Sequence, residues 1–262
     1  MKVQFISVMI FLSGFVFGQK ELCRTDIMNG QELTDENKID SYLKYNFSDL
    51  WLQTDEQFVY GIIGEEYEKI SIKIISVSKN LSQPNEYYVY GKSMVEANVC
   101  EFVGKISITK IQEAKNQRFG VDDEYKGKTD KQGFLTAEYE FYENNKQSHS
   151  GVFKGQLQTK WYLTDSAMKY NDLDSVSDGY FNNAFVGIWK MYNSKLEKIC
   201  HWGDYRVPNV DCDFDIGTAE FNVDAEKYSG KGWLDVILKN RMPHGGEVIQ
   251  NKSDEPVKHW WE

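Results

Sequence analysis

After residue 18 the sequence has no long apolar segment, so we expect no membrane anchor in the rest of the chain. Residues 1–18, MKVQFISVMIFLSGFVFG, combine an early lysine with an uncharged apolar stretch. That stretch is shorter than the roughly 20 residues needed to span a bilayer. The pattern is typical of a secretory signal peptide, with cleavage expected near Gly18–Gln19. We therefore expect an exported protein, either secreted or located in the periplasm or cell envelope.

The chain also lacks the short motifs that define several common enzyme classes. It has no H-E-x-x-H metal motif, no G-x-S-x-G nucleophile turn, no P-loop and no dinucleotide-binding fingerprint. Basic residues are in the minority, 30 against 40 acidic residues, and the formal net charge is −10. An acidic surface repels phosphate backbones, so a nucleic-acid partner is not expected.

Alternating apolar and polar residues predict antiparallel strands through most of the chain. In GVFKGQLQTKWYL, residues 151–163, the polar lysines and glutamines occupy one face of a strand. The other face carries Phe153, Leu157, Trp161 and Leu163. Residues 134–143 alternate in the same way, and the polar stretch 144–150 between the two segments favours a turn. The sequence thus predicts a mainly β fold, an antiparallel β-meander that forms a barrel or a sandwich.

Three short strings place a phenylalanine two residues before a glycine on the same predicted face. They are FVGKI from residue 102, FKGQL from residue 153 and FVGIW from residue 185. An aromatic ring can cover the bare backbone of a glycine in a sheet. We therefore predict that each ring covers the glycine of its own strand.

Helical spacing of apolar residues occurs near the start of the expected mature chain. The residues with this spacing are Ile39, Leu43, Phe47 and Leu50. They predict one amphipathic helix at about residues 36–49 within an N-terminal segment, 19–54. The meander should then occupy 55–163, and a polar connection rich in Asp, Asn and Ser should occupy 164–183. Residues 184–262 should form a C-terminal β lobe that packs on the meander.

The four cysteines suggest two disulfides, because their number is even and the chain is expected to be exported. Three pairings are open to the sequence alone. Cys200 and Cys212 flank a short segment that a hairpin would close, so we favour this pair, which would contribute about 3 kcal/mol in the chain-entropy model. Cys23–Cys100 then follows by elimination.

The stretch VDCDFDIG, residues 210–217, places Asp211, Asp213 and Asp215 at alternating positions. An EF-hand loop would need glycine at the sixth position and glutamate at the twelfth, and this sequence has neither. We therefore interpret the stretch as a strand that points Cys212, Phe214 and Ile216 inward and the three acids toward water. A calcium site formed by the three acids is the alternative.

A second candidate cluster lies in HWGDYRVP, residues 201–208. It holds His201, Asp204 and Arg206, which could act together on a substrate or form a structural hydrogen-bond network. The leading hypothesis is an exported, non-catalytic binding or structural protein whose partner is a small molecule, a glycan or another protein. The alternatives are a secreted hydrolase with its site near these three residues, and a structural module stabilised by calcium. No cofactor is expected beyond that calcium.

Overall fold

The computed structural model of the chain describes residues 22–23, 27–28, 30–165, 167–241 and 259–262. The predicted signal peptide lies outside these residues. Within the described ranges, no helix is long and apolar enough to cross a membrane.

The elements are mostly long strands with a few short helices. The strands are β1 (Leu22–Cys23), β2 (Val59–Ile63), β3 (Glu68–Lys79), β4 (Glu86–Val95), β5 (Asn98–Glu113), β6 (Lys131–Glu143), β7 (Gly151–Thr164), β8 (Ala167–Tyr170), β9 (Asn182–Met191), β10 (Glu197–Asp204) and β11 (Val210–Asp211). The α-helices are α1 (Ile39–Tyr42), α2 (Ala225–Tyr228) and α3 (Leu234–Arg241). Short 3₁₀ helices occupy Ser48–Trp51, Glu56–Phe58 and Ser229–Lys231.

Eight of these strands close into an antiparallel barrel. Each strand from β2 to β7 pairs with the next, β7 pairs with β9, β9 with β10, and β10 returns to β2. β8 pairs only with the end of β7. The predicted antiparallel β-meander is confirmed, and of the two forms expected it is a barrel. Closure pairs each of these eight strands on both sides over at least part of its length, which limits the exposed edges that promote aggregation in β proteins.

The hairpin of β6 and β7 is the local prediction that the structure confirms in most detail. The two strands pair continuously from Lys131↔Leu163 to Tyr142↔Val152. All four residues assigned to the apolar face of β7 are buried in the barrel core. Their period of two places them on one side of a pleated strand, and the neighbouring strands on both sides fix that side as the interior.

Aromatic rings fill the barrel interior. Phe185 stacks on Trp202 with ring centroids 4.5 Å apart, and Phe102 stacks on Phe141 at 5.1 Å. Tyr139 meets the edge of Trp202 at 5.2 Å. Such contacts add to the large apolar area that each ring buries. The centre of the barrel is therefore a packed core, and any ligand site must lie toward an end or in the wall.

Phenylalanine rings in this barrel cover glycines that lie directly across from them on the neighbouring strand. Phe102 is the register partner of Gly91, and a Cβ at Gly91 would come within 2.4 Å of its ring. Phe141 has the same relation to Gly104, where a Cβ would meet the ring at 2.8 Å. A glycine directly across from an inward phenylalanine leaves room for the ring.

The N-terminal segment covers one end of the barrel. Phe47, Leu50 and Trp51 are buried there, and Trp51 Nε1 donates to Thr159 Oγ1 at 3.1 Å. The predicted helix is much shorter than 36–49, because Asn46 Oδ1 accepts from the backbone N–H of Ser48 and starts a separate turn.

A C-terminal lobe packs on the outside of the barrel. Its core rings include Phe214 and Trp233, which pack with Tyr60 from β2 and Tyr67 from the turn before β3. Trp233 Nε1 also donates to the carbonyl of Tyr67 at 2.9 Å. The strands β9 and β10 belong to the barrel, so the described part of the lobe consists of β11, α2, α3 and the turns that join them.

Both predicted disulfide pairs are wrong. The disulfide is Cys23–Cys212, which links the ends of the paired strands β1 and β11. Cys100 and Cys200 are free and buried. Cys200 cannot meet Cys212 as expected, because it points into the barrel core from β10 while Cys212 lies in the lobe outside the wall.

Candidate functional site

The structure does not bring His201, Asp204 and Arg206 together. His201 points away from the barrel core. On the outer side its Nδ1 lies 3.2 Å from the carbonyl oxygen of Pro208. Burial lowers the pKa of His201, which favours its neutral form. Asp204 follows Trp202 on the interior face of β10. His201, Asp204 and Arg206 therefore each have their own set of partners.

Arg206 forms a buried ion pair with Asp215. Its Nη1 lies 2.9 and 2.7 Å from the two carboxylate oxygens, and both side chains are 1% exposed. The same guanidinium donates to the carbonyl of Gly217 at 3.0 Å and to that of Ala219 at 2.5 Å. Because both side chains are hydrogen-bonded and excluded from solvent, this pair holds the loop that contains Gly217 and Ala219 in place.

This ion pair explains why the interpretation of VDCDFDIG as one alternating strand is wrong. Strand β11 ends at Asp211, and Asp215 turns inward to Arg206, which leaves Ile216 52% exposed. Asp213 points to the surface and pairs with Lys227 at 3.0 Å. Asp213 and Asp215 therefore point in different directions. Across the described residues, no group of three or more His, Cys, Asp or Glu side chains could hold a metal ion.

Asp204 differs from His201 and Arg206 in that all the described donors to its side chain lie on one oxygen. It lies at the barrel end that the N-terminal segment covers, and three neutral donors converge on its Oδ2. They are Thr54 Oγ1 at 2.7 Å, Asn183 Nδ2 at 2.7 Å and Tyr170 OH at 3.0 Å. None of the described residues donates to Oδ1. Burial raises the pKa of Asp204 to about 7, and the three donors offset only part of that effect.

Glu143 is a second buried carboxyl, near the opposite end of the barrel, and both of its oxygens accept hydrogen bonds. Ser93 donates to its Oε1, while Gly151 N and Trp189 Nε1 donate to its Oε2 at 2.7 and 2.8 Å. Both oxygens are used, as expected for a structural group. Asp204 has the same number of donors, but all of them lie on one oxygen.

Asp204 lines a small cavity of about 30 Å³. Three aromatic residues, Trp51, Phe185 and Trp202, share this lining, and Glu56 and Lys73 lie at its outer part. The volume suits one or two water-sized groups. A buried carboxyl beside such a space is a candidate binding position, because polar groups at a concave apolar site fix the orientation of a ligand.

The barrel wall is weakly closed beside this cavity. β2 pairs with β3 at only two positions, Ile62↔Lys69 and Ile63↔Glu68. The earlier residues of β2, which include Val59, form their ladder with β10 alone. Side chains rather than backbone hydrogen bonds therefore close the wall between the start of β2 and the middle of β3.

A larger groove of about 320 Å³ lies on the outside of this weak wall, between the barrel and α3. Its lining includes Tyr60, Ser71, Val236 and Trp260. The inner cavity and the outer groove share the residues Glu56, Val59 and Ile72. We call the inner cavity, the shared residues and the outer groove together the portal site.

The last described residues, 259–262, lie against the portal site. His259 Nδ1 is 3.6 Å from a carboxylate oxygen of Glu56, and Lys73 Nζ lies 4.8 Å from the ring centroid of Trp261. The end of the chain therefore contacts both charged residues at the outer part of the inner cavity.

Of the candidate functional residues predicted from sequence patterns, only Asp204 lies in the portal site. Thr54, Asn183 and Tyr170 come from three separate segments and carry no local pattern that links them to Asp204. No family model matches this chain, and no curated protein or solved structure does so either.

Proposed function

We propose that the protein is an exported, non-catalytic binding protein whose small-molecule ligand binds at the portal site. The observation that carries the proposal is the arrangement of Asp204, a buried carboxyl whose Oδ1 accepts from none of the described residues, beside a cavity that shares its wall with a groove of about 320 Å³. That groove falls at the lower end of the size range of small-molecule sites.

The character of the lining supports binding rather than catalysis. The described lining of the inner cavity includes no histidine or cysteine, and His201 and Arg206 lie elsewhere with their own partners. The hydrolase alternative needs His201, Asp204 and Arg206 to act together, and these three side chains have separate partners. The disulfide Cys23–Cys212 supports export, since such bonds persist mainly in oxidising compartments.

The test is a thermal-unfolding screen of the disulfide-intact protein against a library of small molecules. A ligand at 100 times its dissociation constant adds about 2.7 kcal/mol to the free energy of unfolding. In a protein of this size that raises the midpoint by about 5–10 °C. Ser71 lines the outer groove, so Ser71→Trp should fill it and abolish the shift.

The matched control is Ser107→Trp, which makes the same substitution at an outward position of β5 away from the portal site. Ligands should stabilise this variant as they stabilise the wild type. If no compound raises the midpoint of the wild type, or if Ser71→Trp responds as fully as the control, the portal site is not a binding site.

A further inference from the structure

The portal site holds a buried negative group without a buried positive partner. The three donors to Asp204 are neutral side chains. Lys73 is the one cation in the described lining of the inner cavity, and it lies 3.9 Å from Glu56. The outer groove holds Lys69, which pairs with Asp235, and Lys239. A ligand that carries a positive charge would compensate the buried carboxylate, whereas an anionic ligand would be repelled.

The apolar part of the inner cavity also favours a cation. Trp51, Phe185 and Trp202 contribute aromatic rings to its lining. Aromatic faces attract ammonium groups through their quadrupole, and the attraction grows when water is excluded. Carboxylate and aromatic rings together form the surroundings that suit an ammonium group better than a hydroxyl or a carboxylate.

The dimensions limit how much of the ligand can enter. About 30 Å³ accommodates a head of one or two non-hydrogen atoms, which matches a methylene and its attached ammonium. The remainder must lie in the outer groove, which Tyr60, Val236 and Trp260 line with apolar surface.

On these grounds we propose that the ligand class of the portal site is a primary alkylammonium, with its ammonium group on Oδ1 of Asp204 and its apolar body in the outer groove. This inference rests on the proposed function, since it names the ligand of the same site. The net charge of −10 would also raise the local concentration of such a cation.

The test compares hexylammonium with the neutral 1-hexanol and the anionic hexanoate by isothermal titration calorimetry at pH 8. Hexylammonium should bind the wild type, and Asp204→Asn should weaken that binding at least tenfold. Glu143→Gln, which neutralises the other buried carboxyl near the far end of the barrel, should leave the affinity within twofold of the wild type.

If Asp204→Asn folds poorly, the pH dependence of hexylammonium binding to the wild type tests the same proposal. In the wild type, affinity for hexylammonium should fall at least tenfold from pH 8 to pH 5.5, because a protonated Asp204 no longer offers a charge. Glu56 and Lys73 line the same cavity, and Tyr170 from β8 donates to Asp204. Glu56→Gln therefore serves to show that the pH effect does not arise at Glu56.

The outcomes distinguish a failure of the proposed ligand class from a failure of the proposed binding function. If 1-hexanol or hexanoate binds more tightly than hexylammonium and Ser71→Trp abolishes that binding, the ammonium class is wrong while the binding function stands. If hexylammonium binds equally well to Asp204→Asn, the assignment to Asp204 is wrong. If none of the three compounds binds the wild type, the ammonium proposal fails, and the library screen alone then decides the binding function.

Discussion

Replacing Asp204 with asparagine should remove much of the pH dependence of this protein's stability. Burial raises the pKa of Asp204 to about 7 in the folded protein, against an ordinary value of 3.8. Between these two values the folded state keeps a proton that the unfolded chain releases. The free energy of unfolding therefore falls as the pH rises from about 4 to about 7, and the loss is complete above the folded pKa.

The magnitude follows from the cost of about 1.36 kcal/mol for each pKa unit. From pH 5 to pH 7 the pH crosses two such units, so this one group should lower the free energy of unfolding by about 2.5 kcal/mol. For a protein of this size, that corresponds to a fall of about 5–10 °C in the unfolding midpoint. Asparagine keeps the shape and a carbonyl acceptor for the three donors, but it does not titrate.

The assay is urea or thermal unfolding of the wild type and Asp204→Asn at half-unit steps from pH 5 to pH 8. Burial raises the pKa of Glu143, which acts in the same direction, and lowers the pKa of His201, which acts in the opposite direction. Both groups are present in both proteins, so they cancel in the difference. Asp178→Asn, at an exposed loop position, should retain the wild-type slope. Equal slopes for Asp204→Asn and the wild type would refute the reasoning.

Three further predictions concern the lobe, the disulfide and the end of the chain. Replacing both Cys23 and Cys212 with alanine opens a loop of 189 residues, so denaturant unfolding should show a loss of about 5 kcal/mol in the chain-entropy model, while an unchanged stability would contradict the pairing. Arg206→Leu leaves its buried carboxylate partner uncompensated and should cost about 3–5 kcal/mol by the same measurement; a cost below about 1 kcal/mol would show that the pair is dispensable. Deleting residues 259–262 should speed the labelling of a Thr54→Cys variant by a methanethiosulfonate reagent several-fold, as read by mass spectrometry, and an equal rate would show that the end of the chain does not restrict access.

Local patterns predicted the strands, because a strand in a closed sheet shows its burial in its own sequence. The alternation of residues 151–163 fixed both the strand and its buried face. The choice between barrel and sandwich depended on the pairing of β10 with β2, which are more than 130 residues apart. No local pattern carries that information, because the pairing joins segments that lie far apart in the chain.

The disulfide and the acidic stretch failed for a related reason. The side of the barrel wall on which a cysteine lies decides its partner, and the spacing of Cys200 and Cys212 does not reveal that Cys200 faces the core. Likewise the alternation in VDCDFDIG predicts a strand until Arg206, nine residues before Asp215, draws that acid inward. A strong buried ion pair overrides a weak local preference.

Energetics give a reason to connect Asp204 with function. A group that served only to hold the barrel end together would be better as asparagine, because at neutral pH the buried carboxylate costs stability that its three neutral donors do not restore. Glu143 does not raise the same question, since donors engage both of its oxygens. Residues that lower stability in a folded protein are concentrated at sites where binding or chemistry needs them. Asp204, whose Oδ1 accepts from none of the described residues, lies beside a cavity and the weakly paired part of the wall, as the proposed binding function requires.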